Sequence, residues 1–364
     1  VAVTKQQIID QLRTVNDPEL HKDLVTLNMI KNVAYCDGNA AITVELTTPA
    51  CPLKDQIRSE VEAAVRQLGD EIKQVNIEFT ANVQASPQQK ATQNNPLPGV
   101  KHIIAVGAGK GGVGKSTVAV NLAVGLARHG AQVGLMDGDI YGPSLPTMLG
   151  LDDLAARTTD GNMIVPFEVH GIKAMTIGKL VEPDKPLIWR GPMAHGAFRQ
   201  LATQTDWGQL DYLIIDLPPG TGDVPLTMSQ LLPLTGAVIV CTPQKVAQDD
   251  ARRAIAMFRQ LDIDVLGLIE NMSYFVGDDG KEYDIFGRGG AESMAQSMDV
   301  PSIGTIPINM ALRQHCDIGD PTANFTKDDQ LAAELTRTVE NLAGRVSIHT
   351  MSDKYQKPTI SVSG

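Results

Sequence analysis

The sequence predicts an α/β protein: a mostly parallel sheet covered by helices, preceded by a small α/β domain. Three observations lead there. From about residue 100 onward, short runs that are apolar throughout alternate with amphipathic stretches, the rhythm of strands covered on both faces by crossover helices. A glycine-rich turn, Gly109–Ser116, stands between the first such run and the first such stretch. Ahead of it lies a complete helix, hairpin, helix and strand pattern, set off by a polar, proline-bearing segment.

The first block, residues 1–84, opens with Thr4 and Gln7 at capping-box spacing, followed by Ile8, Ile9, Leu12 and Val15 on one helical face. Asp37-Gly38 separates Ile30–Cys36 from Ala40–Leu46, where Ile42, Val44 and Leu46 alternate, so a hairpin follows. Ile57, Val61, Val65 and Leu68 mark a second helix, with Pro52 suited to its first position, and Val75, Ile77 and Phe79 a last strand. Residues 85–99, with Pro87, Pro96, Pro98 and a run of amides, read as a flexible linker. Residues 100–344 form the second domain, with strands at Ile103–Val106, Val133–Met136, Leu213–Ile215, Ala237–Cys241 and Val265–Ile269. Residues 345–364 show no period and read as a tail.

Composition narrows the field. With 31 basic against 42 acidic residues the net charge is −11, which argues against binding nucleic acid through its backbone. Aromatics at 4% leave little for base stacking. No apolar run is long enough for a membrane span. Val1–Asp10 reads as a helix start, so a secretory signal is not expected. Four scattered cysteines make no disulfide framework, and a cytoplasmic setting is expected.

Gly109, Lys110, Gly111, Gly112, Val113, Gly114, Lys115 and Ser116 match the P-loop pattern in full, between a strand and a helix. Glycines let the amides turn inward around phosphate oxygens, and the helix N-terminus adds partial positive charge. Lys115 is placed to reach the β- and γ-phosphates of ATP, Ser116 to ligate Mg²⁺, and Thr117 to complete the first helical turn of the cradle. Tyr212–Asp216 is an apolar strand ending in a carboxylate, the usual position of the acid that holds the Mg²⁺ water shell. Asp139, in Asp137-Gly138-Asp139 at another strand end, is a candidate for aligning the attacking water. Strand-end acids also serve as simple turn caps, and both readings stay open.

Lysine directly after the first glycine resembles the deviant Walker A loop of the MinD, ParA and nitrogenase-reductase class. Asp137–Ser144, Trp189–Met193, Asp211–Asp223 and Glu270–Phe275 resemble the corresponding segments of the Mrp/ApbC iron–sulfur carrier ATPases. The first block resembles the small metal–sulfur assembly domain often fused in front of them. The resemblance implies an ATP-hydrolysing homodimer that passes iron–sulfur clusters to apoproteins or works with cluster scaffold proteins. It implies that Lys110 reaches across the dimer to the partner's nucleotide, that Asp139 is the acid near the γ-phosphate, and that Asn271 contacts adenine. The alternatives are a nucleotide-switched scaffold that carries no cluster and a positioning ATPase of the MinD/ParA kind. Against the latter, no basic patch or membrane-binding helix is seen at the C-terminus.

The sequence departs from that family at one place. Carriers of this type have Cys-x-x-Cys after the Asn-Met-Ser-Tyr-Phe segment, whereas here Val276-Gly277-Asp278-Asp279-Gly280-Lys281 follows. Gly and Asp do not replace soft thiolate ligands, so a cluster bridged there between subunits is not expected. Cys51, in Thr48-Pro49-Ala50-Cys51-Pro52, matches the reactive cysteine of the assembly domain and is the candidate cluster thiol. Cys36 and Cys241 read as packing residues, Cys316 beside His315 as weak evidence for a metal, and Met294 and Met298 as core. His195 and Arg199 could touch phosphate or only solvate a helix.

Overall fold

A computed structural model describes residues 3–91, 95–140, 142–180, 191–220 and 222–352. Tyr141, Thr221, residues 181–190 (which include the start of the Trp189–Met193 motif) and the end of the expected tail (353–364) lie outside the described residues. The chain divides into two compact units, Val1–Gln84 with Ala343–Gly364, and Ala85–Leu342.

In the first unit, α1 (Lys5–Leu12) starts at the expected capping box: Gln7 N–H donates to Thr4 Oγ1, and Thr4 N–H donates to Gln7 Oε1 at 2.8 Å. β1 (Ile30–Cys36) and β2 (Asn39–Leu46) pair antiparallel around Asp37 and Gly38, whose φ values of 51° and 87° are those of a tight hairpin turn. α2 (Lys54–Arg66) then crosses over so that β3 (Gln74–Ala81) lies parallel to β2. Ile8, Leu12, Ile42, Val44, Ile57, Val61 and Val65 form the core. The helix begins two residues later than the proline suggested. Leu53 is its N-cap and packs with Cys51 against the core, which holds Pro52 in the turn outside.

The second unit opens with a correction. The segment expected as a linker carries α3 (Pro87–Ala91), and Ser86 and Gln89 are buried. Ser86 N–H donates to the Lys101 carbonyl, Ser86 Oγ accepts from Gln89 N–H, and the Gln89 amide reaches the Pro233 carbonyl. Composition misled because polar side chains here bury by bonding backbone, not by adding apolar area.

There follow β4 (Val100–Gly107), α4 (Lys115–Arg128), β5 (Val133–Asp137), α5 (Leu145–Met148), a ribbon of β6 (Arg157–Thr158) and β7 (Ile164–Val165), then β8 (Phe167–Val169) and β9 (Ile172–Met175). Next come α6 (Gly191–Gln204), β10 (Leu210–Asp216), α7 (Asp223–Leu231), β11 (Gly236–Cys241), α8 (Lys245–Gln260) and β12 (Val265–Val276). β13 (Glu282–Tyr283), α9 (Gly290–Ser297), β14 (Ser302–Ile308), α10 (Met310–Asp317) and α11 (Asp329–Met351) complete the chain. The sheet runs β13-β12-β11-β4-β10-β5-β9-β8, with β14 also on β12. Its interior pairs are parallel, while β8 and β13 lie antiparallel at the ends.

Ile103, Ile104, Ala105 and Val106 are fully buried, as a central strand between helical layers requires. α4 packs closely on α11: a Cβ at Gly125 would stand 2.4 Å from Val339 Cγ2. α11 also corrects the expected tail, since it runs on to Met351 with Leu342, Ala343 and Val346 buried at helical spacing. Among the described residues no helix is long and apolar enough to cross a membrane.

Candidate functional site

β4 delivers the chain at the carboxyl edge of the sheet, where the glycine loop turns into α4. Gly112 and Gly114 have φ of 82° and 80°, a region that side chains avoid, so glycine is required for the loop's path. Gly109 is required for a different reason. A Cβ there would lie 2.1 Å from the Asp250 carbonyl carbon, because the backbone of α8 passes directly over it. Gly109→Ala is expected to push α8 away, to lower stability by about 1–3 kcal/mol and to weaken ATP binding. Thermal unfolding and calorimetric titration on the same variant check both effects.

Lys115 opens α4 and is buried, pointing into a nest of acids. Its ammonium donates to Asp216 Oδ1 at 2.5 Å and to Ser116 Oγ at 3.2 Å, and lies 3.8 Å from Asp139 Oδ2. Asp216 closes β10 and is fully buried, directly beside Asp137, which closes β5 in the paired register. Burial pushes the Asp216 carboxyl up, against the pull of Lys115 and the nearby Ser116 hydroxyl. Burial, then the Asp216 charge, push Asp137 up to about 8, with Thr176 and Lys115 opposing. Half-buried Asp139 is likewise raised by burial and lowered by Lys115.

Three carboxylates therefore face one ammonium. Asp216 Oδ2 is buried with no hydrogen-bond partner, next to the Ser116 side of the loop. A hard divalent cation suits that surplus of negative oxygen, so Ser116 and Asp216 fit Mg²⁺. Among the described residues there is no cluster of three His, Cys, Asp or Glu side chains able to hold a metal by protein ligands alone.

The structure thus brings Lys115, Ser116, Asp139 and Asp216 together. Lys110 is half-buried on the loop and makes no hydrogen bond or ion pair among the described residues. Asn271, expected at adenine, is 4% exposed, and its amide donates to the Val113 carbonyl at 2.8 Å. That bond ties Asn271 to the phosphate loop through one of its two amide N–H groups. His195 and Arg199 instead line a cleft of about 310 Å³ between α6 and α7 with Thr227 and Gln230. Met294 is core and Met298 half-buried.

Two residues escaped the sequence reading. Asp137 was visible only as the first acid of Asp-Gly-Asp, and Thr176 carried no signal at all. They meet because β9 pairs with β5. Thr176 Oγ1 donates to Asp137 Oδ2 at 3.0 Å.

The thiols separate by burial. Cys241 in β11 is buried and pushed up to about 12 by burial and by Glu270. Cys316 is also buried and raised by burial; its neighbour His315 bonds Asn324 at 2.9 Å and faces no metal cluster among the described residues. Cys36, expected as packing, is exposed, with its thiol 3.6 Å from Asp37 Oδ2, because it ends β1 at the hairpin turn. Cys51 is half-buried in the turn before α2. At Val276–Lys281, where the resemblance would place Cys-x-x-Cys, β12 and β13 form a hairpin closed by Gly277 N–H to the Lys281 carbonyl and by Tyr283 OH to Asp279.

Comparisons with known proteins agree with this architecture. A family model described as NUBPL iron-transfer P-loop NTPase matches residues 99–343, and one described as iron-sulfur cluster assembly protein matches residues 5–79. A Synechocystis protein named iron-sulfur cluster carrier protein is 48% identical over 352 residues, covering 95% of this chain and 99% of the relative. An Escherichia coli protein of the same name is 39% identical over 366 residues, covering 95% and 96%. A nucleotide-binding protein from Archaeoglobus fulgidus, solved with ADP, superposes with a TM-score of 0.56 at 40% identity, over 62% of this chain and 89% of that one. The cell division ATPase MinD of Pyrococcus furiosus shares the fold, with a TM-score of 0.50 at 21% identity over 66% and 97%. The fold class and the resemblance read from the motifs both hold: this chain belongs to the NUBPL iron-transfer P-loop NTPase family, with an iron–sulfur assembly domain in front.

Proposed function

We propose that the chain is a Mg²⁺-dependent ATPase that works as a homodimer and carries iron–sulfur clusters to apoproteins. The observation that supports the ATPase most directly is Lys115 clamped on Asp216 at the mouth of the glycine loop, with the second Asp216 oxygen unpaired. A triphosphate competes for that ammonium. Once Lys115 turns to the β- and γ-phosphates, Asp216 is released toward the Ser116 side. Ser116 and Asp216 would hold Mg²⁺ there, which would supply positive charge to the phosphates. The loop amides of 109–117 fix the phosphates, and Asn271 presents its remaining polar atoms to adenine. Asp139 orients a water for attack on the γ-phosphorus and takes up its proton as the bond to ADP breaks. Lys110 from the partner subunit steadies the charge on the transferring group. Hydrolysis removes that cross-subunit contact and lets the two copies change how they face each other.

The relatives' names support cluster transfer as the purpose of this cycle. Cys51, half-buried in the turn before α2, is the candidate to hold or pass the cluster. The cysteine-free hairpin favours a second reading, a nucleotide-switched scaffold that binds assembly partners without cargo. Anaerobic reconstitution with iron and sulfide, followed by iron counting and absorbance, separates the two. The carrier reading expects iron bound to wild type and most of it lost in Cys51→Ser. Iron bound to neither leaves the scaffold.

A further inference from the structure

We propose that Thr176 is a positioning residue for ATP hydrolysis, acting through Asp137 to hold Asp139 in its working place. This rests on the reading of Asp139 as the acid that orients the attacking water.

Asp137 is where three parts of the chain meet. Its Oδ1 accepts the N–H of Asp139 at 3.1 Å, which fixes the start of the loop that carries the acid. The backbone of Leu145, at the first turn of α5, also lies close to the same carboxyl and lowers its pKa. Its Oδ2 accepts the Thr176 hydroxyl at 3.0 Å. Asp216 belongs to the same frame through its backbone, since Gly138 N–H donates to the Asp216 carbonyl at 2.7 Å. A rotation of the Asp137 carboxyl therefore moves the Asp139 amide relative to β10 and the phosphate loop.

What prevents that rotation is Thr176. It is fully buried, at the end of β9, and its oxygen accepts Gly178 N–H at 3.1 Å. With that lone pair engaged, the O–H is left to point at Asp137. The turn bearing Gly178 is itself wedged: a Cβ there would stand 2.9 Å from Pro146 Cγ and 3.2 Å from Pro143 Cγ, both in or beside the loop that Asp137 spans. Lys115 does not do this work, because its direct bonds go to Asp216 and Ser116. The hydroxyl is thus the side-chain brace on the carboxyl that sets Asp139, while Thr176 itself touches no reacting atom.

Steady-state ATP turnover and ATP binding on the full chain, for Thr176→Val, Thr176→Ser, Asp139→Asn and the Asp139→Asn/Thr176→Val double variant, test this. The expected result is a fall in kcat of about 10–100-fold for Thr176→Val with ATP affinity kept, and near wild-type kcat for Thr176→Ser. In the Asp139→Asn background the valine substitution should cost nothing further, since the group it positions is already disabled. Wild-type kcat in Thr176→Val overturns the brace while leaving the ATPase reading intact. So does a full additional loss in the double variant. No turnover in wild type overturns the ATPase reading itself. If Thr176→Val does not melt cooperatively, the ratio of kcat between Thr176→Ser and Thr176→Ala isolates the hydroxyl, and equal values overturn the brace.

Discussion

Lys115→Ala should reduce ATP turnover by about a thousandfold or more, because it removes the positive group aimed at the β- and γ-phosphates. Initial rates and calorimetric ATP titration check this. A variant that hydrolyses ATP at the wild-type rate would remove the P-loop from the reaction. The substitution also acts on the protein without nucleotide. Lys115 balances the fully buried Asp216, and stripping the partner from a buried pair costs about 3–5 kcal/mol if the remaining charge stays. Asp216 has another way out, since burial already raises its pKa and protonation removes the charge. The sign follows from linkage. A carboxyl whose folded pKa lies above its unfolded value of about 3.9 favours folding fully below that value and loses the contribution as pH rises toward the folded pKa. Asp137 imposes such a loss up to about 8 in wild type. Asp216 already contributes in the same direction in wild type. Losing Lys115, which lowers the Asp216 pKa, raises that carboxyl further, so the variant's melting temperature should fall more steeply with rising pH. An unchanged slope would mean that Lys115 does not hold the Asp216 charge.

Lys110→Ala should look different. ATP affinity should be kept within a few-fold while turnover falls by about 10³, the scale of a charge supplied in trans to a transferring phosphoryl group. Lys115 is held by two hydrogen bonds within its own chain, to Asp216 and Ser116. Mixing provides a sharper check than either variant alone. In a heterodimer of Lys110→Ala and Lys115→Ala subunits, the site with an intact Lys115 receives an intact Lys110 from its neighbour. Turnover should therefore reappear when two inactive preparations are combined. Silence in the mixture, or normal rates for Lys110→Ala by itself, would end the cross-subunit role.

The parts of the site that follow from local pattern are legible in the amino-acid order. A glycine loop between strand and helix, an acid at the end of an apolar strand and Thr4 with Gln7 at capping distance each depend on a few adjacent residues. Asp137 with Thr176 depends on which strands are neighbours. Thirty-nine positions apart, they meet only because β5 and β9 pair, and no spacing rule reaches that far. β14 stayed hidden for a related reason. Gly304 and Pro307 argue against a strand, yet β14 lies beside β12 near the sheet's end, and a Cβ on Gly304 would strike Thr338 of α11 at 2.2 Å. The segment read as a linker and the start of the tail hold structure because composition registers apolar area and not side-chain bonds to backbone, nor a helix continuing past its most regular turns. The α2 start lies two residues on, with Leu53 at the N-cap packed on the core.

The Lys115–Asp216 bond has a consequence for the sequence of arrivals. While the ammonium sits on Asp216 Oδ1, a lone metal ion would approach the unpaired Oδ2 against a positive charge held on the same carboxyl. It gains little by coming first. Only something bearing several negative oxygens can draw the lysine off, and the cation travels in on that same molecule. On the proposed reading the bond would work as a lock whose opening group enters together with the ion it admits.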